Sequence, residues 1–266
     1  MAGNIYFDLT REFNREQPTV LLASGQAVVF HRVAIMSKDG DWVIRETAPA
    51  CTTVLEILAR HGAFYRPGAP LDSRWLAAGW SSHFEFVDER RRRVRCDFFS
   101  RPPRLGCAAV AAAFARTDEP LAVVDIESLI VMKQTQRAKD YAVIGELATR
   151  LPPHREIEFS TDPDRLMALA PLHGRGHVRP AVAAACAGVR DAVVIALARE
   201  QDARQRRDRV RMDAFSSAAA GYLRAFTQVA AGERRLPAGH AVVCALANQL
   251  LPTTVPMPET ADVDVE

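Results

Sequence analysis

The sequence predicts an α/β protein of the α+β kind, in which a mixed sheet with flanking helices is followed by a helical C-terminal domain. Strand-like and helix-like patterns alternate through the first half of the chain. Within residues 75–100, apolar and charged residues alternate around a charged tip, a pattern typical of a β-hairpin. Beyond residue 160 every regular pattern is helical. These observations separate a sheet-containing first half from a helical second half.

The predicted elements of the first half follow one another closely. Residues 19–23 form an apolar run that predicts a strand, and residues 26–34 and 41–45 are expected to form a short helix and part of a second strand. Threonines begin the segment 52–61, and apolar residues then recur at a helical period, so this segment is predicted to be a helix. Two further segments are predicted to be helical: residues 107–116 and residues 126–151.

Two consecutive prolines, Pro152 and Pro153, mark the expected end of the first domain, because proline stops a helix. We therefore expect a core domain over residues 1–151 and a helical domain over residues 152–250. The last segment, residues 251–266, is interrupted by prolines and is acidic, so we expect a disordered tail.

Composition limits the classes of protein to consider. A chain of 266 residues with 48% hydrophobic content can form one or two domains, and a formal net charge of +2 does not by itself indicate a nucleic-acid binder. Five cysteines without a CxxC pair favour a reduced, cytoplasmic location over a disulfide framework or a zinc site. Since the sequence shows neither a signal peptide nor a run of about 18 apolar residues, we expect no export and no membrane partner.

Three aspartates suggest a metal site. Asp39 and Asp41 are two residues apart, so on an extended segment both carboxylates leave the same face, with Gly40 between them. Like charges this close repel each other, and a divalent cation keeps both ionised. Asp97 lies in a strongly apolar strand, where a charged residue needs a partner or an exit to solvent. If that strand lies beside the strand of Asp41, the three carboxylates form an oxygen-rich site suited to magnesium.

Ser24 and Gly25 lie between the first predicted strand and the first predicted helix. A glycine at this point lets the backbone approach a ligand, and the helix that follows offers free N–H groups to a phosphate. The Ser24 hydroxyl is a further donor to the same phosphate oxygens. Taken alone, both this pair and the Asp-Gly-Asp sequence are also common in solvated turns, and that alternative stays open at this stage.

A third set of polar residues lies within the predicted helix of residues 126–151. Lys133, Arg137 and Asp140 are spaced i, i+4 and i+7 and therefore share one face of a continuous helix. The spacing fits a cationic face for nucleotide phosphates, with Asp140 orienting one of the cations. It fits a solvated salt-bridged surface equally well. His83 and Glu85 share a face of the predicted hairpin, where they either line the same cleft or support the fold.

The order and spacing of these motifs resemble the nucleotidyltransferase superfamily of the polymerase-beta type. Its signature is a hydrophobic strand ending in a Gly-Gly or Gly-Ser pair, a gap of some ten residues, an Asp-x-Asp pair, and a later single aspartate on a neighbouring strand. Here these elements correspond to Ser24-Gly25, to Asp39 and Asp41, and to Asp97. The segment 121–147, with its lysine followed by Arg-x-Lys-Asp, looks most like bacterial abortive-infection type nucleotidyltransferase toxins. The resemblance covers about residues 19–150.

The resemblance implies transfer of a nucleoside monophosphate from a nucleoside triphosphate such as ATP to an acceptor hydroxyl. It implies two magnesium ions: Asp39 and Asp41 would hold one together with the triphosphate, and the other would bridge towards Asp97, which is also a candidate to accept the hydroxyl proton. Similarity to toxins favours tRNA or a protein as acceptor and an antitoxin as partner. Two alternatives remain open, a small-molecule nucleotidyltransferase of the antibiotic-modifying type and a non-catalytic interaction module on the same fold.

Overall fold

A computed structural model of the chain describes residues 3–117 and 119–256. It has a mixed α/β architecture, in which a five-stranded sheet with flanking helices precedes a long helical region, so the predicted fold class is confirmed. The sheet order is β1-β2-β5-β4-β3, in which only the β2–β5 pair is parallel. The strands are β1 (Val20–Ala23), β2 (Gly40–Ile44), β3 (Phe64–Tyr65), β4 (Ser82–Val87) and β5 (Arg93–Phe99).

The described residues divide into two compact units. One unit comprises residues 3–124 together with residues 213–256, and the other comprises residues 125–212. The predicted boundary after residue 151 falls within the second unit. Of the predicted tail, residues 251–256 are described and residues 257–266 lie outside the described residues.

Helices occur in both units. In the first unit they are α1 (Ile5–Phe13), α2 (Ser24–Phe30), α3 (Ala48–Arg60), α4 (Ser73–Ala77), α5 (Cys107–Ala115) and α12 (Ala238–Leu250). In the second unit they are α6 (Ile126–Lys133), α7 (Ala138–Ala148), α8 (Pro153–Phe159), α9 (Pro163–His173) and α10 (Pro180–Cys186). The 39-residue helix α11 (Arg190–Gln228) contributes residues to both units. No helix of the described part of the chain is both long enough and apolar enough to cross a bilayer.

The inner face of the sheet carries the core of the first unit. Val94, Cys96 and Phe98 of β5 are buried, whereas the residues between them face outwards, as the period of two in the sequence predicts. Phe98 stacks on Trp42 of β2 with ring centroids 5.2 Å apart. The Trp42 indole donates a hydrogen bond of 2.9 Å to Thr10 of α1, which satisfies its polar N–H in the core. Helix α1 therefore covers the inner face of β2, whereas the opposite face carries Asp41 together with the buried Val43.

The segment 126–151 was predicted to form one helix, and this prediction is wrong. Helix α6 ends at Lys133 and α7 begins at Ala138. No glycine or proline separates them. Instead, the Gln136 backbone N–H donates a 2.8 Å hydrogen bond to the buried carboxylate of Asp208 in α11, and the Thr135 hydroxyl donates to Asp140. The bond to Asp208 takes the Gln136 N–H, which in a continuous helix would donate to the carbonyl of residue 132, so a contact distant in sequence accompanies the break.

Candidate functional site

Asp41 and Asp97 lie side by side on the outer face of the sheet. Strands β2 and β5 run parallel, with Asp41 opposite Asp97 in the register. Residues opposite each other on neighbouring strands point to the same face, and the strands are about 4.8 Å apart. On its other side, β2 pairs with β1 so that Asp41 is opposite Ala23, the residue before Ser24. The predicted placement of the single aspartate beside the Asp-x-Asp segment agrees with this register.

Two basic side chains contact Asp97. The Nη1 atom of Arg66 is 3.2 Å from Oδ1 of Asp97, and the Nδ1 atom of His83 is 2.9 Å from the same oxygen. His83 is opposite Asp97 in the β4–β5 register, so Asp41, Asp97 and His83 form a row across three strands. The Asp97 side chain is only 20% exposed, and the Arg66 guanidinium compensates its charge. Both contacts use Oδ1, so a further cation on this side chain has Oδ2 to bind.

Asp39 lies just before β2 and is 41% exposed, and its carboxylate is 3.7 Å from Nη1 of Arg95. Gly40 between the two aspartates is buried. A Cβ atom there would lie 2.4 Å from the rings of Tyr6 and Trp42, so glycine is needed for close packing. Within residues 3–117 and 119–256, no three or more His, Cys, Asp or Glu side chains form a group that could hold a metal ion.

Ser24 and Gly25 begin α2 immediately after β1. Ser24 has a φ of 47°, an unusual conformation for a residue with a side chain, and helix α2 has no side-chain cap hydrogen bond at its N-terminus. Gly25 faces Ser37, because a Cβ atom on Gly25 would lie 2.2 Å from the Ser37 Oγ. The glycine is therefore required by a protein contact, in addition to any role at a ligand.

Gln26 is a residue whose importance the sequence analysis missed. It is buried, it donates a 2.9 Å hydrogen bond to the Ser37 carbonyl, and it accepts one of 3.0 Å from the Asn4 side chain. The Tyr6 hydroxyl donates a 2.6 Å hydrogen bond to the Lys38 carbonyl. These bonds hold the segment before Asp39 against the start of α2. A lone glutamine after a Ser-Gly pair carries no sequence signal for such a role.

Buried groups beside the aspartates remain protonated. Burial raises the pKa of the Tyr6 hydroxyl to about 12. Burial, and after it the negative charge of Asp97, raises the pKa of the Cys96 thiol well above its usual value. Cys96 lies on the inner face of β5, so neither its position nor its ionisation suits it to act as a nucleophile or a metal ligand on the outer face.

Lys133, Arg137 and Asp140 do meet, although not on one helix face. In the second unit, Lys133 Nζ is 3.7 Å from Oδ1 of Asp140, and Arg137 Nε is 2.9 Å from Oδ2. The side chains of Lys133 and Asp140 are both 8% exposed, whereas that of Arg137 is 50% exposed. The turn between α6 and α7 brings the three residues together, and Asp140 orients both cations.

Comparisons with known proteins neither support nor refute the family expectation. No family model, no curated protein and no solved structure matches the chain. The resemblance to nucleotidyltransferases therefore rests on the motif residues and on the positions that the sheet gives them.

Proposed function

We propose that the protein is a metal-dependent nucleotidyltransferase that moves a nucleoside monophosphate from a nucleoside triphosphate to an acceptor hydroxyl. The observation that supports this most is the pairing of Asp41 with Asp97 on adjacent parallel strands. Beside them, β1 pairs with β2 and leads directly into the Ser24–Gly25 turn. The Asp41–Asp97 pair, which could hold a cation, therefore lies next to the strand that leads into the Ser24–Gly25 turn, which could hold phosphates.

Magnesium suits this arrangement better than a calcium-like or zinc-like ion does. Mg²⁺ keeps several of its waters and is bound through one or two carboxylates together with substrate phosphates. Asp39 and Asp41 would hold one ion together with the triphosphate, and Asp97 would help to hold the other. When bound, the ions stabilise the charge that develops during phosphoryl transfer. Arg66 donates a hydrogen bond to Oδ1 of Asp97, and His83 lies against the same oxygen.

For the phosphate contacts expected of the second unit, Arg137 is better suited than Lys133. Lys133 is buried and its ammonium group faces Asp140, whereas half of the Arg137 side chain is exposed. Asp140 fixes the Arg137 Nε atom, which leaves the terminal guanidinium nitrogens to donate to a phosphate. Lys133 then serves to hold Asp140, and Arg137 is the residue of this cluster with donors for a phosphate.

The acceptor is proposed to be an RNA or a protein, because the motif order is most similar to that of nucleotidyltransferase toxins, which also makes an antitoxin the expected partner. The decisive experiment incubates the full chain with magnesium and each α-labelled nucleoside triphosphate in turn. Pools of tRNA, of protein and of small-molecule alcohols serve as acceptors. We expect label to enter one pool, and the pool identifies the acceptor class.

Asp41→Asn should lower this transfer by at least about 100-fold, because a lost ligand removes several kcal/mol of transition-state stabilisation. The same Asp→Asn change at the exposed Asp213 is the control and should leave the rate unchanged. Melting curves complete the test: magnesium with a triphosphate should raise the melting temperature of the wild type and of Asp213→Asn but not of Asp41→Asn. Equal transfer by Asp41→Asn, or a wild type without transfer and without a melting shift, would overturn the proposal.

A further inference from the structure

Two loops of the first unit form the walls of one open groove. One wall is the loop of residues 31–39 between α2 and β2, and the other is the hairpin tip of residues 88–92 between β4 and β5. A cavity of about 490 Å³ along the hairpin tip and one of about 190 Å³ along the loop share the lining residues Gly3, Ile5 and Arg92. The two cavities are therefore continuous, and the start of α1 lies between them.

Large apolar side chains are exposed on both walls of the groove. Ile35 and Met36 of the loop are 98% and 76% exposed, and Val87 on the hairpin side is 61% exposed. Single exposed apolar side chains are common on protein surfaces, whereas three that line one groove indicate a surface that a partner covers. The flexible, polarizable side chain of a methionine adapts to the shape of such a partner.

The loop that carries two of these side chains is held in place through its backbone. The Tyr6 hydroxyl donates a 2.6 Å hydrogen bond to the Lys38 carbonyl, and the buried Gln26 donates one of 2.9 Å to the Ser37 carbonyl. The two exposed residues just before Ser37 are therefore presented by a fixed backbone. Binding to a loop that is already ordered costs less conformational entropy than binding to a free one.

The rim of the groove is cationic. Four exposed basic residues lie there, two on each wall: Arg32, Lys38, Arg90 and Arg91. Within the part of the chain that the structure describes, no carboxylate lies within ion-pair distance of any of the four. The lining carboxylate of Asp88 is paired with Arg92 at 2.7 Å. That of Asp8 is paired with Arg11 at 2.9 Å. Glu89 adds one further negative charge, so the rim keeps a surplus of positive charge.

We propose that this groove binds an acidic segment of a protein partner that carries large apolar side chains. The apolar side chains of the segment cover Ile35, Met36 and Val87, and its carboxylates pair with the four basic residues of the rim. None of these residues belongs to the site proposed for nucleotidyl transfer, so this inference stands without that function.

Nucleic acid and lipid fit the groove less well than a peptide does. The rings of Tyr6 and Phe86 line it but are only 7% and 2% exposed, so they offer no free face on which a base stacks. A bilayer surface is flat, whereas Ile5 and Val87 line a concave groove that a flat surface does not fill.

A designed peptide tests the proposal on the full chain. The probe is a short fluorescein-labelled peptide in which leucines recur every third or fourth residue between glutamates, and the control peptide has lysine in place of every glutamate. Fluorescence anisotropy measures both affinities. We expect the acidic peptide to bind at least about 10-fold more tightly than the control, with a preference that weakens as salt is added. Phosphatidylserine vesicles and single-stranded polyuridylate are then added as competitors, and neither should displace the peptide.

Variants assign the binding to the groove. Ile35→Ser should weaken binding of the acidic peptide by at least about 10-fold, because an apolar side chain that is buried on binding contributes this much. Arg91→Glu should weaken it by about 3-fold. Leu172→Ser and Arg175→Glu make the same changes at exposed positions of the second unit and should leave the affinity unchanged. Since all four side chains are exposed, the variants should fold, which circular dichroism checks.

Three results would overturn the proposal. The first is an acidic peptide that binds no more tightly than the lysine peptide. The second is a folded Ile35→Ser variant with the affinity of the wild type. The third is displacement of the peptide by the vesicles or by polyuridylate, which would assign the groove to a lipid surface or to RNA.

Discussion

Gly25 packs directly against the side chain of Ser37, so closely that a Cβ atom on Gly25 would lie 2.2 Å from Oγ and 3.0 Å from Cβ of Ser37. The carbonyl of Ser37 is in turn held by the buried Gln26. The start of α2 and the segment that leads to Asp39 therefore form one tightly packed junction. A change at Gly25 alters the position of the predicted metal ligands as well as the access of a ligand to the backbone.

The first prediction concerns this junction. Gly25→Ala should destabilise the protein by about 1–3 kcal/mol, the usual cost of overpacking, although alanine is the better helix former. Since the clash is with Ser37, the change should cost much less in a Ser37→Gly background. Urea unfolding of the wild type, both single variants and the double variant measures the coupling. Simple additivity of the two changes would show that the contact is not tight.

Gly25→Val should be more disruptive still, because valine adds two methyl groups beyond the Cβ atom at the same contact. A loss of nucleotide binding in that variant would therefore report on the fold as much as on the site. The double variant Gly25→Ala with Ser37→Gly is the better probe of access to the backbone, because it removes the clash and should fold. Its triphosphate affinity, measured by calorimetry, then tests whether a ligand approaches the backbone at residue 25.

The second prediction concerns the buried pair of Lys133 and Asp140. Asp140→Ala should destabilise the protein by about 3 kcal/mol, because it leaves the ammonium group of Lys133 buried without this carboxylate. Lys133→Met should cost less, because Asp140 keeps its contacts with Arg137 and Thr135. Arg137→Ala should cost less than about 1 kcal/mol, because half of that side chain is exposed.

Chemical denaturation of the wild type and the three variants measures the free energy of unfolding of each and so tests this order of costs. Arg137→Ala serves as the internal control, since it removes a cation from the same carboxylate at an exposed position. A cost for Arg137→Ala equal to that for Asp140→Ala would contradict the view that burial of Lys133 dominates. The same variants separate stability from function, because only Arg137→Ala is expected to weaken triphosphate binding while leaving the fold stable.

The third prediction concerns pH. Two hydrogen bonds of 2.9 Å from Arg101 lower the pKa of Glu46, burial opposes this to a smaller extent, and the Ser100 hydroxyl adds to it. Because the folded pKa lies below the ordinary value of 4.5, the carboxylate stabilises the fold above that pH. This contribution is lost as the pH falls through the lower folded value.

Glu46→Gln should therefore lower the free energy of unfolding near neutral pH, by less than about 1 kcal/mol for a pair this exposed, and this effect should shrink as the pH falls below the ordinary value of 4.5. Urea titrations of the wild type and the variant across this range measure the difference. Glu16→Gln, at an exposed glutamate, is the matched control. A difference between wild type and Glu46→Gln that stays constant as the pH falls well below 4.5 would show that the effect is not due to ionisation.

Much of the fold is readable from local patterns. The strict alternation within residues 93–99 predicts which side chains of β5 enter the core, and Val94, Cys96 and Phe98 are all buried. Such patterns succeed because a strand has a period of two and because one face of the sheet must be covered. Helices α3 and α5 follow their predicted segments for the same kind of reason, although α3 begins four residues earlier, at Ala48, after its cap Thr47.

The sequence by itself determined which residue types are available at each position and which of them share a face within one element. The tertiary structure alone decided which elements became neighbours: that β5 lies parallel to β2, so that Asp41 meets Asp97, and that Arg66 and His83 contact Asp97. It also decided that the helix predicted over residues 126–151 breaks where Gln136 meets Asp208. The physical reason is that local periodicity depends on a few adjacent residues, whereas register and ion pairing depend on the packing of segments far apart in the chain.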